Sequence, residues 1–150
     1  MRTGLFSGLA AVALLTSGAH ATEDKAPKLE ARDLFKQVVE IPTVEGRAEV
    51  PRLVKLLSAK FNAEGLTNVT VKPHGETESM ILRWAAEGEA TAEPILLMAH
   101  MDVVEAKRAD WTDDPFIFRE KDGYYWGRGS VDNKAGMTAI VMSLIRLKRA

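Results

Sequence analysis

The segment from Ile95 to Gly136 constrains the fold more than any other part of the chain. An apolar run, Ile95-Leu96-Leu97-Met98-Ala99, opens directly into His100-Met101-Asp102. Further on, a tight turn, Gly127-Arg128-Gly129-Ser130-Val131, delivers Asp132-Asn133-Lys134. A continuous apolar run of this length, led by Pro94, reads as a strand buried on both faces. Open sheets place their sites at the carboxyl ends of such strands. A buried strand ending in His-x-Asp, followed by a glycine-framed Asp at the start of a helix, is a way to present metal ligands there. Zinc held only through nitrogen and oxygen needs imidazole and carboxylates, each oriented by a further partner. A metal-dependent hydrolase is therefore the leading expectation.

Each piece also has a plainer reading. His100 and Asp102 point to one face of an extended chain, so Asp102 can accept from the imidazole nitrogen that faces away from a metal. A strand-end histidine with one ordinary hydrogen bond has the same signature. Asp132 follows glycines that open backbone angles closed to other residues, yet Asp is also a favoured helix N-cap. The turn is no dinucleotide fingerprint, because Asp132 stands where the third glycine is needed, and no Gly-Lys-Ser/Thr phosphate loop is present. Ser130 lacks the Gly-x-Ser-x-Gly setting of a hydrolase nucleophile.

Composition narrows the classes. The 150 residues are 46% hydrophobic and 27% charged, as in an ordinary globular domain. Twenty basic against 21 acidic residues leave no footprint for nucleic acid or for an anionic membrane. The absence of cysteine excludes disulfides, thiolate zinc ligands and a cysteine nucleophile. At the N-terminus, Met1-Arg2-Thr3, the apolar stretch Leu5 to Leu15 and Ala19-His20-Ala21 have the three-part layout of a secretory signal peptide. The apolar stretch falls short of the roughly 20 residues that span a bilayer. Residues 1–21 are thus expected to be a signal peptide. Residues 22–150 would form the mature chain, periplasmic or secreted, with no membrane anchor after cleavage.

Along that chain, Leu29, Leu34, Phe35, Val38 and Val39 predict a helix over 28–40, stopped by Ile41-Pro42-Thr43. A second helix is predicted over 48–63, with Val50, Leu53, Val54, Leu57 and Phe61 on one face and Gly65 closing it. Val69–Val71 and Ser79–Trp84 read as strands, and 87–93 as a solvated connection. Phe116–Phe118 and Tyr124–Trp126 flank a hairpin tip at Asp122-Gly123. Met137, Ile140, Val141, Leu144 and Ile145 mark a last helix from about Asn133. In an α/β fold such a helix leads to a further parallel strand; none follows, so the sequence reads as cut short.

The order of these motifs closely resembles the M20 family of zinc metallopeptidases, which includes carboxypeptidases, aminoacylases, carnosinase-like dipeptidases and amino-acid deacylases. The matching residues are His100-Met101-Asp102, Trp111-Thr112-Asp113-Asp114-Pro115-Phe116, Asp122-Gly123-Tyr124 and Gly127 through Asp132-Asn133-Lys134. The resemblance implies an α/β catalytic domain of the phosphorylase/hydrolase-like kind, a mixed sheet flanked by helices, of which residues 22–150 would be the N-terminal part. It implies His100 as a ligand of one zinc, Asp102 as the partner that orients it, and Asp132 bridging two zincs, with a cis bond to Asn133. Where the family often has Gly after the motif Lys, this chain has Ala135, then Gly136.

It further implies a Glu-Glu pair after the helix, one Glu serving as general base, and later an acidic ligand and a distal His. The chain has no Glu-Glu dipeptide, and no Asp, Glu or His after Asp132. The Asp113-Asp114 pair belongs to the Trp-x-x-Asp-Pro-Phe loop and reads as loop structure; His74 reads as solvated surface. The implied activity of the intact enzyme is hydrolysis of an amide bond in a small peptide or N-acyl amino acid. Residues 1–150 alone are expected to be inactive. A homodimer would form through a lid domain outside this sequence. The competing class is a non-catalytic relative serving as a binding or structural module.

Overall fold

The computed structural model describes residues 25–150, so the expected signal peptide lies outside the described residues. The elements are helices α1 (Lys25–Val39), α2 (Val50–Ala63) and α3 (Lys134–Arg149), strands β1 (Val69–His74), β2 (Thr77–Leu82), β3 (Arg119–Lys121) and β4 (Tyr124–Trp126), and a 3-10 turn at Arg108–Asp110. Among the described residues no helix is long and apolar enough to cross a membrane.

The three helices build the core. Leu34 and Val38 of α1, Leu53, Leu57 and Phe61 of α2, and Met137, Val141, Met142 and Ile145 of α3 form one buried cluster closed by Ile41 and Leu66. The apolar stripes expected from the sequence are those that face inward, with Leu29 as an exception at 58% exposure. α2 ends at Gly65, whose φ of +75° suits glycine. There the N–H of Leu66 donates to the carbonyl of Phe61 at 2.9 Å, closing the last turn.

The β structure is two separate antiparallel hairpins. In β1–β2, Val69 pairs with Leu82 and His74 with Thr77. Val69, Met80 and Leu82 pack on the helical core, while Ile81, paired with Thr70, lies on the exposed outer face. In β3–β4, Asp122 and Gly123 form the tip, both with positive φ, as a two-residue turn matched to strand twist requires. Behind it Phe35, Phe118 and Tyr125 meet edge-on or tilted at 5.1–5.6 Å, fastening the hairpin to α1.

One expectation fails. The run 94–99 belongs to no strand and is not buried. Ile95, Leu96, Leu97 and Met98 are 53–88% exposed, and the chain rejoins the core only at Ala99 and Met101. The α/β class stands, but the central strand is not formed. A ladder needs partners from distant sequence, and both hairpins here are closed on themselves.

Lys134, at the start of α3, is fully buried. Its Nζ donates to the carbonyl of Ile41 at 2.5 Å, and Thr138 accompanies it in the interior, its hydroxyl donating to the Lys134 carbonyl at 2.7 Å. Burial of the ammonium lowers its pKa from 10.5 to about 8.

Two outcomes follow from this packing. Ile145→Ala, at a fully buried position, is expected to cost about 2–5 kcal/mol in urea unfolding, against about 0.5 kcal/mol or less for Leu147→Ala at an exposed one. Lys134 binds its proton more weakly folded than unfolded, so its stability cost is full below pH 8 and is relieved as pH rises toward 10.5. Unfolding free energy of the wild type should therefore gain on the order of 3 kcal/mol over that window relative to Lys134→Met. Parallel pH profiles for the two proteins would contradict the assignment.

Candidate metal centre

His100, Asp102 and Asp132 are brought together. His100 Nε2 lies 2.9 Å from Asp132 Oδ1, and Nδ1 lies 3.0 Å from the main-chain carbonyl of Asp102. The Asp102 carboxylate is slightly farther from Nδ1, at 3.3 Å. The orienting contact of Asp102 is thus made first by its backbone and second by its side chain. With acceptor oxygens against both ring nitrogens, the imidazole favours the doubly protonated form. The hydrogen bond to Asp132 is the main cause, with Asp102 adding to it, and together they raise the His100 pKa above the usual histidine value.

The turn that carries Asp132 is shaped by its glycines. A Cβ on Gly127 (φ +155°) would meet Val39 Cγ1 at 2.6 Å, and one on Gly129 (φ +81°) would meet Val103 Cγ1 at 2.6 Å. The turn can therefore lie directly on α1 and on the segment after His100 only because both side chains are absent. Asp132 does not cap α3: Asn133 occupies the cap position, without a side-chain cap bond, and the Asp132 carboxylate turns to His100 instead. The Asp132–Asn133 peptide bond is cis, as the resemblance implies.

Neighbouring loops are tied down by ion pairs and aromatic faces. Arg47 grips both oxygens of Glu105 at 2.7 and 2.8 Å, and its guanidinium sits 4.8 Å from the Phe116 ring centroid. Arg128 lies over Trp111 at 5.3 Å and donates to the Glu105 carbonyl at 3.3 Å. Asp114 accepts from the Phe116 N–H at 2.8 Å and Asp113 pairs with Arg119 at 2.9 Å, which occupies both carboxylates of that loop in structure. His74 ends β1 on the exposed face.

Two further residues reach the site from behind in roles that the sequence did not assign. Thr43 is buried, with its hydroxyl on the Met101 carbonyl at 2.6 Å. Lys134 joins the Asp132 turn to Ile41. A threonine in a helix-stopping Ile-Pro-Thr carries no distinctive signal, and Lys134, though part of the matching motif, carries none for a buried contact with Ile41.

The donor set fits zinc. Two ligand atoms on a tetrahedral zinc with bonds of about 2.0–2.1 Å sit roughly 3.3 Å apart. Side chains meeting at 2.9 Å need part by only a few tenths of an ångström. The pair is open to solvent, with side-chain exposures of 47% for His100 and 86% for Asp132. Among the described residues no group of three or more metal-binding side chains that could hold an ion converges, so the candidate donors here are the His100 and Asp132 pair.

Residues 96–150 match the profile of peptidase family M20/M25/M40. A probable succinyl-diaminopimelate desuccinylase of Staphylococcus epidermidis is 42% identical over 119 residues, 78% of this chain and 28% of that protein. The human N-fatty-acyl-amino acid synthase/hydrolase is 28% identical over 142 residues, 85% of this chain and again 28% of the relative. In fold, the chain is similar to human carnosine dipeptidase 1, with a TM-score of 0.57 and 21% identity, covering 85% of this chain and 31% of that one. The chain thus spans between a quarter and a third of the length of these proteins. With the profile lying on the very segment that joins His100 to Asp132, residues 96–150 belong to peptidase family M20/M25/M40.

Proposed function

We propose that this chain contributes to a zinc-dependent amide hydrolase, in which His100 binds one zinc and Asp132 bridges two. The observation that carries the reading is the 2.9 Å approach of His100 Nε2 to Asp132 Oδ1 at an open surface. The relatives' names support the substrate class. A desuccinylase, an N-acyl-amino acid hydrolase and a dipeptidase all name enzymes that open an amide bond in a small molecule. The substrate proposed here is accordingly a small peptide or N-acyl amino acid.

His100 and Asp132 would hold the metal, and Asp102 would keep Nδ1 engaged so that Nε2 presents its lone pair outward. When bound, zinc supplies Lewis acidity toward the scissile carbonyl and lowers the pKa of a bound water toward 7. The proton on Nε2 must leave before metal can bind there, and because the pair is open to solvent it can pass to water while Asp132 stays a carboxylate. The general base and remaining ligands are proposed to come from residues other than these 150, since no Glu-Glu pair occurs among them. Residues 22–150 alone would then hydrolyse nothing and bind zinc weakly.

In the intact protein, His100→Ala and Asp132→Ala are each expected to reduce kcat/KM for an N-acyl amino acid by at least about 10³-fold, with zinc lost on dialysis. Asp102→Ala should lower zinc affinity less, because its main-chain carbonyl still meets Nδ1. Zinc-dependent turnover that survives His100→Ala would overturn the ligand assignment.

Residues 1–21 are proposed to direct export, which places the enzyme in the periplasm or outside the cell. A reporter fused after residue 25 should cross the inner membrane of a Gram-negative host and be cleaved after Ala21. A reporter kept uncleaved in the cytoplasm would reject the proposal.

A further inference from the structure

The loop between α1 and α2 is bonded to both segments that carry the proposed ligands. On one side, the Thr43 hydroxyl donates to the Met101 carbonyl at 2.6 Å, and the Thr43 carbonyl accepts from the Val103 N–H at 3.0 Å. These two bonds straddle Asp102 and hold the chain immediately after His100. On the other side, the Ile41 carbonyl accepts from Lys134 Nζ at 2.5 Å, and the Lys134 N–H donates to the Gly129 carbonyl at 3.1 Å. That pair of bonds fixes the turn around Asp132. Ile41, Thr43, Val44 and Lys134 are all buried, so these bonds are shielded from water.

The ligand side chains themselves are open to solvent and, among the described residues, hydrogen-bond only to one another and to Asp102. Exposed ligands hold a fixed separation only if the segments beneath them are locked by packing and hydrogen bonds. The 41–44 loop is the element that bonds to both segments. We propose that Thr43 is a positioning residue of the metal centre: through this loop it sets the separation of His100 Nε2 and Asp132 Oδ1, and with it the affinity for zinc. The inference rests on the assignment of those two side chains as zinc ligands.

The test is zinc affinity of the intact protein, measured by competition with a chromophoric chelator, together with the visible spectrum of the cobalt(II)-loaded form. Thr43→Val keeps the shape and removes the hydroxyl; its zinc affinity should fall about 10- to 100-fold, with a changed cobalt spectrum. Thr43→Ser keeps the hydroxyl and should retain wild-type affinity. Thr138→Val removes another buried threonine hydroxyl, one bonded within α3; it should lose stability in urea yet leave affinity and spectrum unchanged. Equal affinity in wild type and Thr43→Val would overturn the proposal, as would equal losses in Thr43→Val and Thr138→Val. Should Thr43→Val fail to fold, Lys134→Met releases the same loop from its other side, and unchanged affinity there overturns the proposal as well. A wild-type intact protein that takes up no zinc would instead remove the ligand assignment.

Discussion

The carbonyl of Ile41 is a junction on which much of the architecture depends. It accepts from the Thr43 N–H at 2.9 Å and from Lys134 Nζ at 2.5 Å, so both lone pairs are used in the interior. The first bond tightens the exit from α1; the second brings α3 against α1 and α2. An ammonium without a carboxylate partner is costly to bury, and its retention here couples helix packing to the placement of the Asp132 turn. The core and the site share one fastening.

Local patterns were legible because the forces behind them are local. The stripes Leu34–Val38, Leu53–Leu57–Phe61 and Met137–Val141–Ile145 recur at helical spacing and face inward. Gly65 and Asp122-Gly123 ended and turned the chain where their backbone freedom predicts. Leu29 shows the limit, since one residue at the right spacing near a helix start need not be covered. The run at 95–99 shows another. Its composition says that burial would favour it, but composition does not supply a partner strand, and a ladder is a property of two segments.

The site divides the same way. Residue types and order pointed to His100, Asp102 and Asp132, and the three lie together. The sequence could not say that Asp102 meets His100 through its carbonyl more closely than through its carboxylate. Nor could it assign the roles of Thr43 and Lys134, which depend on what faces them across 58 and 93 positions of chain.

Directly after Lys134, helix α3 has two small residues in a row, and they are not equivalent. Ala135 is exposed, so its methyl group meets water, whereas a methyl added at Gly136 would overlap the Asn133 side-chain oxygen and force that amide to rotate away. The spacing that matters is one helical turn from Asn133, not adjacency to Lys134. A motif written as lysine followed by glycine therefore marks an open position in this chain, and its informative glycine lies one place later.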